Sequence, residues 1–373
     1  MSEKGDEMIE IQAAVLRSVS EPFQIEPLEI DAPQPNEVQV KIAGVGICHT
    51  DVKMQNGYRP MPMPVVLGHE GAGVVTAVGS AVSKVGVGDH VVLTFNSCGH
   101  CENCQEGHPA VCDDVGYLSF GCERPSDGGS PLSQNGEKVS GYFFGQSSFA
   151  TVAMATERNV VKVPKDVPLE LLGPLGCGIQ TGAGTVLNAL QPEAGSSLVV
   201  FGAGSVGLSA VMAAKVAGVG KIIAVDLNPD RLKLAEELGA THVLNPQLSS
   251  DVVETIQQIC DRKGAHYAID TTNVPIVIQQ AVACLRIRGT YAHVGGGGID
   301  ITVPAGQLLF GRTMMGVVQG DSIPDVFIPR LIELYKSGRF PFDKLVSYYP
   351  LGQINQAIQD MHDGKVIKPI LLA

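Results

Sequence analysis

The sequence predicts an α/β protein of two domains, a β-rich domain followed by a doubly wound parallel sheet, and three observations carry that reading. The chain has 373 residues, and single hydrophobic cores stop growing at roughly 250 to 300 residues, so about two domains are expected. The residue pattern changes character near Pro168. Glycine occurs 44 times, well above the usual level of about 7%, so part of the chain needs bare backbone.

Each part of the chain can be justified in order. Residues 12–163 read as short β segments punctuated by Gly and Pro, with 38–42, 73–78 and 90–93 as examples. Strands so closely spaced suggest a barrel-like or sandwiched β domain. The stretch 121–141 is polar and rich in Gly and Ser, and is expected as a long surface loop. After Pro168, buried strands alternate with helices: strand 198–201, helix 206–217, strand 221–226, helix 230–238, and so on to about Val318. That alternation marks βαβ units and a parallel sheet. Amphipathic stretches at 327–337 and 354–362 resemble neither pattern. The expected domains are 1–178, 179–320 and a return of 321–373 to the first domain.

Composition limits the function. A hydrophobic fraction of 45%, a charged fraction of 17% and a mean hydropathy of +0.17 describe a globular chain with ample core. The aromatic fraction is 5% and Trp is absent, so that core is aliphatic. The net charge of −12 is offset by no run of Lys and Arg, which argues against nucleic acid or an anionic membrane as the main partner. No apolar run reaches membrane-spanning length, and the acidic residues 1–10 lack the apolar core of a secretory signal. A cytoplasmic protein is expected. Four of the nine cysteines fall between Cys98 and Cys112, which in a reducing compartment suggests metal rather than disulfides.

The segment Gly202-Ala-Gly204-Ser-Val-Gly207 follows an apolar strand and opens a helix, and Asp226 ends the next strand. In that context G-x-G-x-x-G is a dinucleotide signature. The first glycine permits a tight turn, the second lets backbone approach a pyrophosphate, and the third lets helix pack on strand. The diphosphate would meet free N–H groups at a helix terminus. Asp226 would accept from the ribose hydroxyls and repel a 2′-phosphate, which favours NAD over NADP. The run 295–298 is also glycine-rich but lacks this spacing, and is expected as a loop.

Cys98, Cys101, Cys104 and Cys112 supply four thiolates in a stretch too short and polar for a core of its own. Four soft ligands suit a closed tetrahedral zinc. An iron–sulfur cluster is the rival, but the ferredoxin run has a shorter last gap and a Pro after its fourth Cys, where Asp113 stands here. Cys48, His69 and Cys177 each sit among glycines as further candidate ligands. Their spacing alone would not join them, since a lone His or Cys in a β domain is more often a packed residue.

The motifs GICHTD, GHEGAG, the four-cysteine lobe, GCGIQTG and GAGSVG, in this order, resemble the zinc-dependent medium-chain alcohol dehydrogenases over essentially the whole chain. The stretch 171–184 is most similar to the bacterial aryl-alcohol (benzyl alcohol) dehydrogenases. The resemblance implies a GroES-like catalytic domain, an NAD-binding Rossmann domain, two Zn²⁺ per chain and a homo-oligomer, either dimer or tetramer. It implies a catalytic zinc held by Cys48, His69 and Cys177 with one open position, backed by Asp51, which orients His69, and by Glu70. Zinc would act as Lewis acid, alcohol carbon would pass hydride to nicotinamide, and Thr50 would take the alcohol proton. Lys53 stands where the family often has the His that ends the proton relay. His49 stands at the pyrophosphate-contact position, and the resemblance leaves it as phosphate contact, relay end or both. Positional matching sets Thr181 beside the nicotinamide, Arg231 near the adenosine, and Lys368 in place of a pyrophosphate arginine.

Phe95, Tyr117, Phe143, Phe144 and Val318 match substrate-pocket positions and would form an apolar slot for an aromatic or allylic primary alcohol. Arg59 and Gly116 stand where the glutathione-dependent relatives carry an acidic residue and an Arg, which argues against a glutathione adduct. The rival readings are aliphatic or terpenoid alcohols, or a non-redox lyase-like relative. The lyase-like reading would be favoured by loss of any of Cys48, His69 and Cys177, and all three are present.

Overall fold

The computed structural model describes residues 8–373. The acidic start, read above as lacking a secretory signal, lies outside the described residues as far as residue 7. The chain divides into two compact units. One runs to Gly178 and takes back Ile323–Pro329 and Asp343–Ala373; the other comprises Ile179–Ser322 and Arg330–Phe342. The expected return of 321–373 to the first domain holds only in part, because 321–322 and Arg330–Phe342 group with the second unit. The change of unit falls at Pro329, inside the helix Pro324–Lys336, and Arg339 donates to the Val216 carbonyl of the second unit at 3.5 Å.

Among the described residues the first unit holds two sheets. In one, Ile9–Leu16 and Gln24–Ile30 pair antiparallel, flanked by Val65–Val66 and the hairpin Leu132–Gln134/Glu137–Val139. In the other, Glu37–Gly46 is central, with Gly71–Val78, Val152–Thr156 and Lys368–Leu372 all pairing antiparallel to it. Eight of its ten residues are buried, as a strand with neighbours on every side requires. The core is aliphatic with phenylalanine, as composition predicts.

The hairpin corrects the expectation of a surface loop over 121–141. Asn135 and Gly136, both left-handed at φ +52° and +82°, form the two-residue turn that suits the twist of paired strands. Arg124 pins the preceding loop by donating to Glu37 at 2.9 Å and Asp31 at 2.6 Å.

The second unit holds six parallel strands, ordered His242–Leu244, Lys221–Val225, Ser197–Phe201, Ala265–Asp270, Leu285–His293, Thr313–Gly316. Ser197–Phe201 is wholly buried, and the strand order reverses beside it. In open α/β sheets ligands bind at the carboxyl ends of strands at such a switch point. Helices Ser205–Val216 and Pro229–Leu238 follow the first two strands in sequence. The 295–298 run is a loop, as expected. Among the described residues no helix is long and apolar enough to cross a membrane.

Candidate functional site

Three separate stretches of the first unit converge. Cys48 caps the short helix His49–Gln55 that follows the central strand. Its N–H donates to Asp51 Oδ2 at 3.0 Å, which closes the helix start. His69 follows Gly68, a left-handed residue at φ +92° where a Cβ would strike Phe149. Cys177 ends the tight turn Gly173–Gly176. One ligand atom each from Cys48, His69, Glu70 and Cys177 lie within 4.8 Å of one another.

The donor set fits a metal. His69 Nδ1 donates to Asp51 Oδ1 at 2.9 Å, so in the neutral ring the other nitrogen carries the lone pair. That nitrogen, Nε2, is buried and has no hydrogen-bond partner. A buried polar atom without a partner calls for an explanation, and a cation beside two cysteines supplies one.

The electrostatics agree. A hydrogen bond from Cys177 holds the Cys48 thiol well below its ordinary range against the effect of burial, with help from His69. That same bond, and then burial, push Cys177 well above. Burial pulls the His69 imidazole down, but the charge and hydrogen bond of Asp51, joined by Cys48, more than offset this and hold it well above its ordinary value. The depressed Cys48 thiol favours the thiolate, the form in which cysteine ligates a metal.

Behind the cluster lies a buried ion pair. Lys368 Nζ reaches the Glu70 oxygens at 2.9 and 3.0 Å and the Ile47 carbonyl at 2.9 Å. Glu70 Oε1 also accepts from the Gly178 N–H at 2.9 Å. Burial raises the Glu70 carboxyl despite the opposing charge of Lys368. Gly46 makes room, since a Cβ there would lie 2.1 Å from Glu70.

These contacts engage Lys368 inside the first unit, whereas positional matching sets it at the pyrophosphate. An ammonium has three donors, and the two Glu70 oxygens and the Ile47 carbonyl take them, with Lys368 only 1% exposed. Thr50 is half-buried in the first turn of the helix, and His49 beside it is exposed. Lys53 lies 5.9 Å over the ring of Tyr58.

Of the expected pocket residues, Phe144 stacks on His69 with ring centroids 4.5 Å apart, and Phe143 meets it edge-on at 5.6 Å. Phe144 is left-handed at φ +52°, a costly conformation for a bulky side chain that tends to mark functional sites. Phe95 is buried in the core of the first unit. Tyr117 is half-exposed, as is Val318, which belongs to the second unit. Sequence reasoning missed Phe120, which packs edge-on against both Phe143 and Phe144 and has Arg59 over its ring at 4.6 Å. It carries no motif, and only its helix Val115–Phe120, packed on the 143–145 turn, brings it there.

The four-cysteine lobe also gathers. Its sulfurs lie within 4.8 Å of one another, with Cys98 to Cys104 at 4.0 Å and Cys101 to Cys112 at 3.9 Å. A tetrahedron with metal–sulfur bonds of about 2.3 Å has edges of about 3.8 Å, so the spacing suits a closed zinc site.

In the second unit the three glycines differ in the expected way. Gly202 is left-handed at φ +92°; a Cβ on Gly204 would meet nothing within 4 Å; a Cβ on Gly207 would lie 1.8 Å from the Gly202 carbonyl oxygen. The middle position is open to a ligand and the last is closed by packing. Asp226 Oδ2 accepts from the Ala203 N–H at 2.6 Å, which fixes the carboxylate beside this turn. Arg231 Nε is buried without a partner, an orphaned donor near the start of the next helix. Thr181, in the helix Gly178–Gly184, is buried.

Comparison with known proteins decides the family. The family model described as "Alcohol dehydrogenase GroES-like domain" matches residues 34–165, and "Zinc-binding dehydrogenase" matches 205–337. Geraniol dehydrogenase of Castellaniella defragrans is 47% identical over 98% of this chain and 98% of its own. The chain belongs to the zinc-dependent medium-chain alcohol dehydrogenases. Its cofactors are NAD and zinc. Within the family, the alcohol dehydrogenase class-3 of Drosophila melanogaster is 36% identical over 100% of both chains. The crystal structure of benzyl alcohol dehydrogenase from Acinetobacter calcoaceticus superposes with a TM-score of 0.94 at 46% identity, covering 98% of this chain and 99% of that one.

Proposed function

We propose that this dehydrogenase oxidises a primary alcohol whose carbinol carbon is attached to an aromatic ring or an alkene, giving the aldehyde and NADH. The observation that carries the reading is the aromatic wall of Phe143, Phe144 and Phe120 around His69. Offset and edge-on rings favour a flat, unsaturated group over a flexible chain. Benzyl alcohol and geraniol, named for two of the relatives, share that feature, each with its CH₂OH on an sp² carbon.

Cys48, His69 and Cys177 would hold the catalytic zinc, and Cys98, Cys101, Cys104 and Cys112 a structural one, giving two per chain. When bound, the catalytic zinc supplies Lewis acidity at the alcohol oxygen and the nicotinamide accepts the hydride. Asp51 holds the His69 tautomer through Nδ1, keeping Nε2 free as a ligand. The Lys368–Glu70 pair fixes the backbone beside Cys48 and Cys177 through the Ile47 carbonyl and the Gly178 N–H. Thr50 takes the alcohol proton, with His49 or Lys53 passing it to solvent. Gly204 gives the diphosphate its approach, Asp226 binds the ribose hydroxyls, and Arg231 and Thr181 line the adenosine and nicotinamide ends. The enzyme works as a cytoplasmic homo-oligomer.

The test is the initial rate of NADH formation over benzyl, allylic and saturated alcohols of similar size. The reading expects kcat/KM for benzyl or allylic alcohols to exceed that for hexanol by at least tenfold. Equal values would return the enzyme to the aliphatic alternative.

A further inference from the structure

The dinucleotide turn lies at the carboxyl end of the strand Ser197–Phe201. At the opposite, amino end of the same sheet is a cavity of about 670 Å³, within the range of small-molecule sites. The strand's five residues separate the two ends, a distance of about 16 Å at roughly 3.3 Å per residue. The cavity belongs to the second unit alone.

Its lining is basic although the chain is acidic. Lys221, Arg262, Lys263, Arg286 and Arg288 face one carboxylate, Asp261. Lys221 is paired with Asp261 at 2.8 Å and with the Ile259 carbonyl at 2.7 Å. The other four cations make no ion pair among the described residues.

The backbone is shaped to present them. Ala265 pairs with Leu285, but two residues later Tyr267 already pairs with Thr290, so the edge-side strand bulges by three residues. That bulge carries Arg286 and Arg288, and Arg288 is left-handed at φ +61°. Arg262 and Asp261 across the cavity are left-handed as well, at +62° and +55°. Bulges and left-handed side-chain-bearing residues are costly, and they concentrate where a binding surface needs them.

Arg286 is also held in place. His266 Nε2 accepts from its guanidinium at 2.6 Å, and the other ring nitrogen, Nδ1, lies 2.8 Å from Ser197 Oγ. Burial, then the Arg286 charge, lower the His266 pKa, which keeps the ring neutral and able to accept. Of the five guanidinium donors, the bonds to His266 and the Ile287 carbonyl use two.

We propose that this cavity binds a small molecule carrying two phosphate groups, at a site separate from that of NAD. Each phosphate monoester brings about −1.5 to −2 charges, so two match the four unpaired cations. Three of those cations are arginines, whose planar forks suit phosphate oxygens bidentately.

The test is calorimetric titration of the zinc-loaded enzyme, saturated with NADH so that the dinucleotide turn is occupied, at fixed ionic strength. The probes are fructose 1,6-bisphosphate and inorganic phosphate. One bisphosphate should bind per chain, at least tenfold more tightly than inorganic phosphate. The pair Arg286→Gln with Arg288→Gln should weaken it at least tenfold. So should Arg262→Gln with Lys263→Gln, whose exposed positions leave the sheet intact. Absence of binding once NADH is present, affinity unchanged in both double variants, or equal affinity for the two probes would overturn the proposal.

Discussion

Replacing Lys368 by Met removes the positive half of an ion pair buried inside the first unit, and the outcome can be sized from its geometry. The charges are 2.9 Å apart, and both side chains are essentially inaccessible. At an effective dielectric of about 20 their attraction is about 6 kcal/mol. Part of the loss is relieved as Glu70 takes up a proton, which its raised pKa already favours. Breaking one side of a buried pair costs about 3 to 5 kcal/mol. For a unit of this size that lowers Tm by roughly 6 to 20 °C, at about 2 to 4 °C per kcal/mol. Scanning calorimetry on the zinc-loaded enzyme reads the shift. Lys368→Met with Glu70→Gln removes both charges and should be less destabilised than the two single changes summed, with a coupling of at least about 2 kcal/mol. Single shifts under 3 °C that add in the double variant would show that the pair carries no such energy. Unaltered stability with weakened NADH affinity would instead return Lys368 to the pyrophosphate.

Further expectations follow from the other contacts. Cys177→Ser should lower the metal content from two zinc ions to one while the lobe zinc remains, read by metal analysis with turnover; near-normal activity would refute the three-ligand reading. Gly204→Ala should fold normally, because a Cβ there meets nothing within 4 Å, yet weaken NAD binding. Gly207→Ala should lose stability instead, because its Cβ would sit 1.8 Å from a carbonyl oxygen; comparing Tm with NADH affinity separates the two effects. Asp226→Ser should narrow the preference for NAD over NADP by at least tenfold in kcat/KM, about 1.4 kcal/mol. Burial, then the charge and hydrogen bond of Glu37, push the Tyr142 phenol well above its ordinary value. Its contribution to stability is therefore complete below pH of about 10, where the unfolded phenol is still protonated. It is lost as pH rises from there toward the folded value, by about 1.4 kcal/mol per pH unit. Tyr142→Phe should flatten the decline of Tm above pH 10, and an unchanged slope would exclude the phenol as its source.

What sequence alone determined about this protein is what short stretches of chain determine. The glycine turn works within six residues and the cysteine lobe within fifteen, so spacing exposes both. The Asn135-Gly136 turn was equally local, and the polar composition around it concealed a legible hairpin. Cys48, His69 and Cys177 are far apart in the chain, and family resemblance, not spacing, joined them beforehand. Their meeting depends on strand pairings and glycine contacts that no local pattern encodes. The partner of Lys368 is 298 positions away, and positional matching, which sets that lysine at a diphosphate, carries no information about which neighbours it bonds. Phe120 at the aromatic wall, and the three-residue bulge that brings Arg286 and Arg288 to one cavity, likewise arise from packing and register. Charge, turn chemistry and ligand type are properties of a segment, whereas burial, pairing and the loss of a donor to an internal partner exist only after distant segments have met.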